Sequence, residues 1–138
     1  MNGLLIKMKI LNKYIFIISC IFSILISINY CYATDNSKWL SINKKGMQSF
    51  KERDFIASEK FYLKAIEEAK KSNLTAELSA TLNNLGLLKI ELLKFEEAED
   101  LIKESLNLRL QFYGINHRYI AQSYNNLARV YESSSRFE

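Results

Sequence analysis

The sequence predicts an all-α fold, a solenoid of stacked antiparallel helix hairpins preceded by an apolar N-terminal helix. Three observations carry that expectation. The 138 residues include no proline and only four glycines, too few turn formers for the many short strands of an all-β domain. Beyond residue 38 the chain repeats itself at a nearly constant offset. Within each copy, apolar residues recur at spacings of three and four, the period of a helix face. The balance of 49% apolar and 25% charged residues excludes an acidic disordered chain and a multispan membrane protein. One small domain behind a leader is the expectation for this length.

The leader comes first. Residues 1–33 hold no acid, carry Lys7, Lys9 and Lys13, and then run almost wholly apolar from Ile15 to Ile28. A basic start, an apolar stretch and small residues form the pattern of a secretory signal. Cys31 and Ala33 stand at minus three and minus one of a cleavage after Ala33, so residues 1–33 are expected to be a signal peptide and residues 34–138 the mature repeat domain. Met8 opens a better-proportioned basic segment and is an alternative start. Residues 14–33 also reach the roughly 20 residues of a bilayer span, which makes an uncleaved inner-membrane anchor the alternative. A third reading rests on Ile17-Ile18-Ser19-Cys20, which loosely fits a lipid-attachment box. The expected location is exported, periplasmic or secreted, with membrane contact only through this segment if it is not cleaved.

Removing the leader changes the charge. The whole chain carries +4, but from Thr34 onward sixteen basic residues face fifteen acidic ones. The basic excess belongs to the leader, and no nucleic-acid partner is expected. No cysteine follows Cys31, so the domain must be held by packing without disulfides.

The repeat is read by self-comparison. Leu82-Asn83-Asn84-Leu85-Gly86 recurs as Tyr124-Asn125-Asn126-Leu127-Ala128, and Lys94-Phe95-Glu96 recurs as Arg136-Phe137-Glu138, both at an offset of 42. A fainter copy lies 40 residues upstream, where Gly46 precedes Phe55 by the same nine residues that separate Gly86 from Phe95. The units are expected at about 39–72, 79–113 and 121–138, the last incomplete. In the first, Asp35 or Ser37 is expected to cap a helix before Trp39, and Asn73 to Thr75 to break the chain after Ser72. In the second, Leu78, Leu82, Leu85 and Lys89 follow helical spacing, with Gly86 where no side chain fits. After a turn near Leu93 and Lys94, Phe95, Ala98, Leu101, Ile102, Ser105 and Leu106 form the apolar face of a second helix. Acids crowd that helix's start, where its dipole is positive, and Arg109 lies toward its end. Gly114 is expected as a left-handed stop and Asn116 as the cap of the third unit.

Paired helices with these small residues at the crossing, Gly46, Gly86 and Ala128, with Ala98 facing them from the second helix, resemble tetratricopeptide repeats. The longer period, Phe-Glu-Glu-Ala-Glu at residues 95–99 and Tyr113-Gly114-Ile115-Asn116-His117 between units are similar to the kinesin light chain type. Departures exist: the family's tryptophan position holds Ile42, Leu82 and Tyr124, its terminal proline is missing, and Lys45 replaces a leucine. The resemblance implies a concave groove lined by the first helix of each unit, through Asn43, Met47 and Phe50, through Asn83, Leu87 and Ile90, and through Asn125 and Arg129. Asn43, Asn83 and Asn125 would form an amide ladder, each offering donor and acceptor to the backbone of an extended peptide.

The expected function is a non-enzymatic interaction module or scaffold that binds a protein or peptide partner in that groove. The alternative is the docking or sensory start of a larger signalling protein or enzyme. Because the third unit lacks its second helix, Ile120, Tyr124, Leu127 and Tyr131 are expected to lack cover, which points to a truncated chain or to self-association through that face. No enzyme, cofactor or metal is expected: no nucleophile lies with a base, no metal ligands pair, and no glycine-rich phosphate loop occurs. His117 matches a histidine common between such repeats, the acids from Glu96 to Asp100 are expected on a solvated face, and Trp39 is expected to cover the end of the first hairpin.

Overall fold

The computed structural model describes residues 2–135, with side chains for residues 11–29 and 36–135. The expected recurrence at Arg136-Phe137-Glu138 lies outside the described residues, as do the side chains of Cys31 and Ala33. Among the described residues the helices are α1 (Asn2–Lys51), α2 (Phe55–Lys71), α3 (Thr75–Glu91), α4 (Phe95–Tyr113) and α5 (Arg118–Ser134). The all-α expectation holds. Compact units divide between Thr34 and Asp35.

In the first unit, Leu11–Asn29 is a helical stretch of 19 residues, long and apolar enough to cross a membrane. At 1.5 Å per residue it spans about 30 Å, the thickness of a hydrocarbon core. Its large apolar side chains are exposed, Phe16 at 70% and Ile18 and Phe22 at 64%. The polar interruptions are masked locally. Ser23 and Ser27 each donate their hydroxyl to the carbonyl four residues back, at 2.9 Å, which satisfies both groups without water.

The expected helix start at Asp35 or Ser37 is not found, because α1 continues through it to Lys51. A cap ends a helix only where the preceding chain departs from helical geometry, and no proline or glycine stands between residues 13 and 45 to force that.

In the second unit the hairpins close through one turn used three times. Arg53, Asn73 and Leu93, twenty residues apart, all have positive φ, at 60°, 53° and 59°. In each case the next N–H reaches back five residues: Asp54 to Ser49, Leu74 to Ala69 and Lys94 to Lys89, all at 2.9 Å. The positive-φ residue donates three residues back at 3.0–3.3 Å. This is the Schellman arrangement, which satisfies carbonyls at a helix end and turns the chain sharply. Asp54 then caps α2, its carboxylate accepting from the Ala57 N–H at 3.0 Å. The fourth connection is longer. Gly114 ends α4 at φ 75° and ψ 169°, a backbone region open to glycine rather than the expected left-handed helical one. The next cap is His117, not Asn116: the His117 Nδ1 accepts from the Tyr119 N–H at 3.3 Å. The imidazole holds that position because its ring stacks on Tyr113 at 4.3 Å.

Packing follows the two small-residue crossings. A Cβ on Gly46 would lie 2.7 Å from the Tyr62 ring, and one on Gly86 would lie 2.6 Å from Ile102 Cγ1. Each glycine meets a residue sixteen positions later, so the hairpins α1–α2 and α3–α4 cross in the same way. Ala98 is fully buried at the second crossing, its carbonyl 3.3 Å from that Gly86 Cβ position. Ser58, the equivalent on α2, is also fully buried and donates to the Gly46 carbonyl at 3.0 Å. Ala128 is exposed on α5, because no described helix follows to cross it.

Ile120, Leu127 and Val130 of α5 are buried against Ala98, Ile102 and Leu106. The expectation that Ile120 and Leu127 lack cover is therefore corrected, since α4 supplies it. Tyr124 and Tyr131 remain exposed at 55% and 48%.

Candidate functional site

The first helices of the hairpins meet through a polar seam. The Trp39 indole N–H donates to Thr81 Oγ1 at 2.9 Å, joining α1 to α3. That hydroxyl also has the Glu77 carbonyl at 2.9 Å and Asn43 Oδ1 at 3.4 Å. The Trp39 ring packs on Ala65, Ala69 and Leu74, so it covers the first hairpin and ties it to the second at once. One repeat further, the Asn126 side-chain N–H donates to Asn83 Oδ1 at 2.8 Å, joining α3 to α5.

This seam places the asparagines differently from the ladder read in the sequence. Asn43 and Asn83 are buried, at 5% and 2% exposure; Asn83 Oδ1 accepts from Asn126, and Asn43 Oδ1 lies 3.4 Å from the Thr81 hydroxyl, whose proton has the nearer Glu77 carbonyl. Asn125 is exposed on α5, and the asparagine facing Asn83 is Asn126. Consecutive residues on a helix point about 100° apart, so a choice between two adjacent asparagines decides which face is meant. Ile90 is turned into the hairpin core beside Ala98 and Ile102. Arg129 lies 3.8 Å from Glu91.

Asn84 lines a smaller and a larger hollow along the first helices. The smaller, about 120 Å³, is mostly apolar and is formed by Met47, Phe50, Lys51, Tyr62, Asn84 and Leu87. It brings together three of the expected groove residues, Met47, Phe50 and Leu87. The larger, about 300 Å³, lies where α1, α3, α4 and α5 converge. Trp39 forms one wall, Ala80, Asn83 and Asn84 of α3 another, and Arg109, Tyr113, Tyr119 and Gln122 the remainder, with Glu77 and Ala76 from the first turn of α3.

Arg109 is the unexpected member. It is 3% exposed, and its Nη1 donates to the Tyr119 carbonyl at 3.0 Å and to Ser123 Oγ at 2.8 Å. Its Nε is buried without an acceptor. Burial pulls its pKa down, opposed by the nearby Tyr113 and Tyr119 hydroxyls. The Tyr119 ring lies 5.3 Å from the guanidinium carbon, a cation–π contact. Sequence reasoning placed Arg109 at a helix end only; residues from four helices surround it, and no local spacing signals that.

Lys89 ties the outer surfaces together. Its ammonium contacts Glu59 of α2 at 2.8 Å and Glu97 of α4 at 2.5 Å. Burial works to lower its pKa, but the two carboxylates outweigh that and the net direction is upward. Glu97 is correspondingly lowered, by Lys89 first and Lys94 second. Glu99 pairs with Lys103, so the acidic run contributes to ion pairs on the hairpin surface. Among the described residues no group of three histidine, cysteine or carboxylate side chains is placed to hold a metal ion.

The comparisons agree with this geometry. A tetratricopeptide repeat family model matches residues 77–138. The crystal structure of BtubC (BKLC) from P. vanneervenii superposes with a TM-score of 0.65 at 22% identity, covering 72% of this chain. The chain spans 41% of that protein's length. No curated protein matches the sequence. The tetratricopeptide repeat match therefore falls on α3, α4 and α5, and the α1–α2 hairpin, which crosses at Gly46 as α3–α4 does at Gly86, shares their fold.

Proposed function

We propose that the chain is a non-enzymatic docking module that holds an extended segment of a protein partner along the first helices of its repeats, and that it works outside the cytoplasm behind its apolar leader. Tetratricopeptide repeats mediate protein–protein interaction, and members of the family are typically not enzymes. The observation that carries the finer reading is the apolar hollow of Met47, Phe50, Tyr62 and Leu87 with Asn84 at its edge. An apolar side chain of the partner would fill it, while the Asn84 amide pairs with the partner's backbone. Met47 is 41% exposed, so apolar surface is available there for burial.

The leader reading rests on Leu11–Asn29, whose length and composition suit either a signal or an anchor. Mass measurement of the N-terminus after expression in a secreting host separates the two: a start at Thr34 marks cleavage, and a retained leader marks an anchor.

Docking is tested with a displayed peptide library selected on the immobilised full chain in detergent. Selected peptides are expected to lose about tenfold or more in affinity for Met47→Glu and for Asn84→Ala. Leu63→Glu, at an exposed position on α2 outside both hollows, should bind them normally. Equal affinity for all three variants would contradict the groove.

A further inference from the structure

The larger hollow contains two opposite charges that do not meet. Both hydrogen bonds of Arg109 leave from Nη1, so its Nε–Nη2 edge has no acceptor, and the Nε is buried. No ion pair among the described residues includes it. Glu77, half-buried on the α3 wall of the same hollow, is likewise in no ion pair among them. The Tyr119 and Ser123 contacts explain why one edge of the guanidinium tethers α5 to α4. They leave the other edge unexplained, and a buried cation without counter-charge is costly.

The enclosed Nε is out of a ligand's reach, but Nη2, which donates to nothing in the fold, can give a carboxylate in the hollow one charge-assisted hydrogen bond. A plain anion seated there would also face Glu77, and a plain cation on Glu77 would face Arg109. A ligand with both charges satisfies both walls. The Trp39, Tyr113 and Tyr119 rings give its carbon skeleton an apolar surface, and about 300 Å³ is the small end of the range for metabolite sites. We propose that this hollow binds a free zwitterion of the amino-acid class, with its carboxylate on Arg109 and its ammonium toward Glu77. A residue inside a peptide has neither charge on its backbone, so this site recognises a free molecule; it shares Asn84 with the docking hollow at Met47 but has Arg109 and Glu77 to itself.

Isothermal titration of the full chain in detergent with the twenty proteinogenic L-amino acids tests it, with the N-acetyl and the amide derivative of the tightest binder as controls. At least one free amino acid is expected to bind about tenfold or more tightly than either derivative, since each derivative loses one charged hydrogen-bonding group. Glu77→Gln leaves the Arg109 tether intact. It should weaken the free amino acid about tenfold and shrink its advantage over the N-acetyl form. Arg109→Lys, compared at equal helicity, should weaken the free amino acid and the N-acetyl form together. The proposal is overturned if no amino acid binds at about 10 mM, if Glu77→Gln changes nothing, or if the N-acetyl form binds as well as the free one. That last result would identify a simple carboxylate site. Selected peptides that still bind the Met47 hollow would leave the docking reading standing in every one of these cases.

Discussion

Asn126 donates its side-chain N–H to Asn83 Oδ1 at 2.8 Å, with the two residues at 7% and 2% exposure. The bond joins the first helices of successive hairpins, and it is internal to the fold. Truncating Asn126 to alanine leaves a buried amide oxygen without its donor, which costs about 1–3 kcal/mol. Asn125→Ala, on an exposed face, is expected to stay within about 0.5 kcal/mol of the parent. Urea denaturation of the two variants separates them, and equal midpoints would count against the seam.

Gly86→Ala places a methyl 2.6 Å from Ile102 Cγ1, with the Ala98 carbonyl at 3.3 Å. The expected cost is about 1–3 kcal/mol from overpacking. Ile102→Val in the same chain removes a methyl near the clash and should restore part of the loss, which a thermal melt of the pair reads directly.

Leu93 holds φ 59° with 56% of its surface exposed. A left-handed backbone costs a non-glycine residue roughly 1–2 kcal/mol, against some loss from the looser unfolded chain. Leu93→Gly is therefore expected to raise stability by about 0.5–1 kcal/mol. A lower denaturation midpoint would show that the leucine side chain contributes packing across the turn.

Lys89 gives the stability curve a defined shape. Glu97 has a lowered pKa, so its contribution is present above the unfolded carboxylate range and is lost as pH falls through the folded value. Lys89 has a raised pKa, so its contribution is complete below the unfolded lysine value and is lost as pH rises through the folded one. Lys89→Met should flatten the acid limb of stability against pH between about 5 and 3 relative to the parent. Parallel curves for the two proteins would mean that the ion pairs are not formed in solution.

Much of this architecture was legible before any coordinates. The offset of 40 to 42 residues, the three-and-four spacing and the glycines at 46 and 86 specify hairpins that cross closely, because each feature is local or repeats in the chain. What escaped depends on side chains brought together from distant positions. Nothing near Asn116 and His117 tells that Tyr113 will stack on the imidazole and make it the cap. Nothing in Asn125-Asn126 says which of the two faces Asn83. The continuation of α1 through Asp35 is not legible locally, because good capping residues can also lie inside a helix when the chain on both sides favours one. Arg109 looked like a helix-end charge because the three aromatic rings beside it come from three different helices.

The stacking of successive first helices is tested most directly by a double-mutant cycle on Asn83 and Asn126, comparing the parent, N83A, N126A and the double variant by urea denaturation. The account predicts a coupling of about 0.5–3 kcal/mol, as for residues in direct contact. Additivity within about 0.3 kcal/mol would mean that the two side chains do not meet and that α3 and α5 do not pack as described.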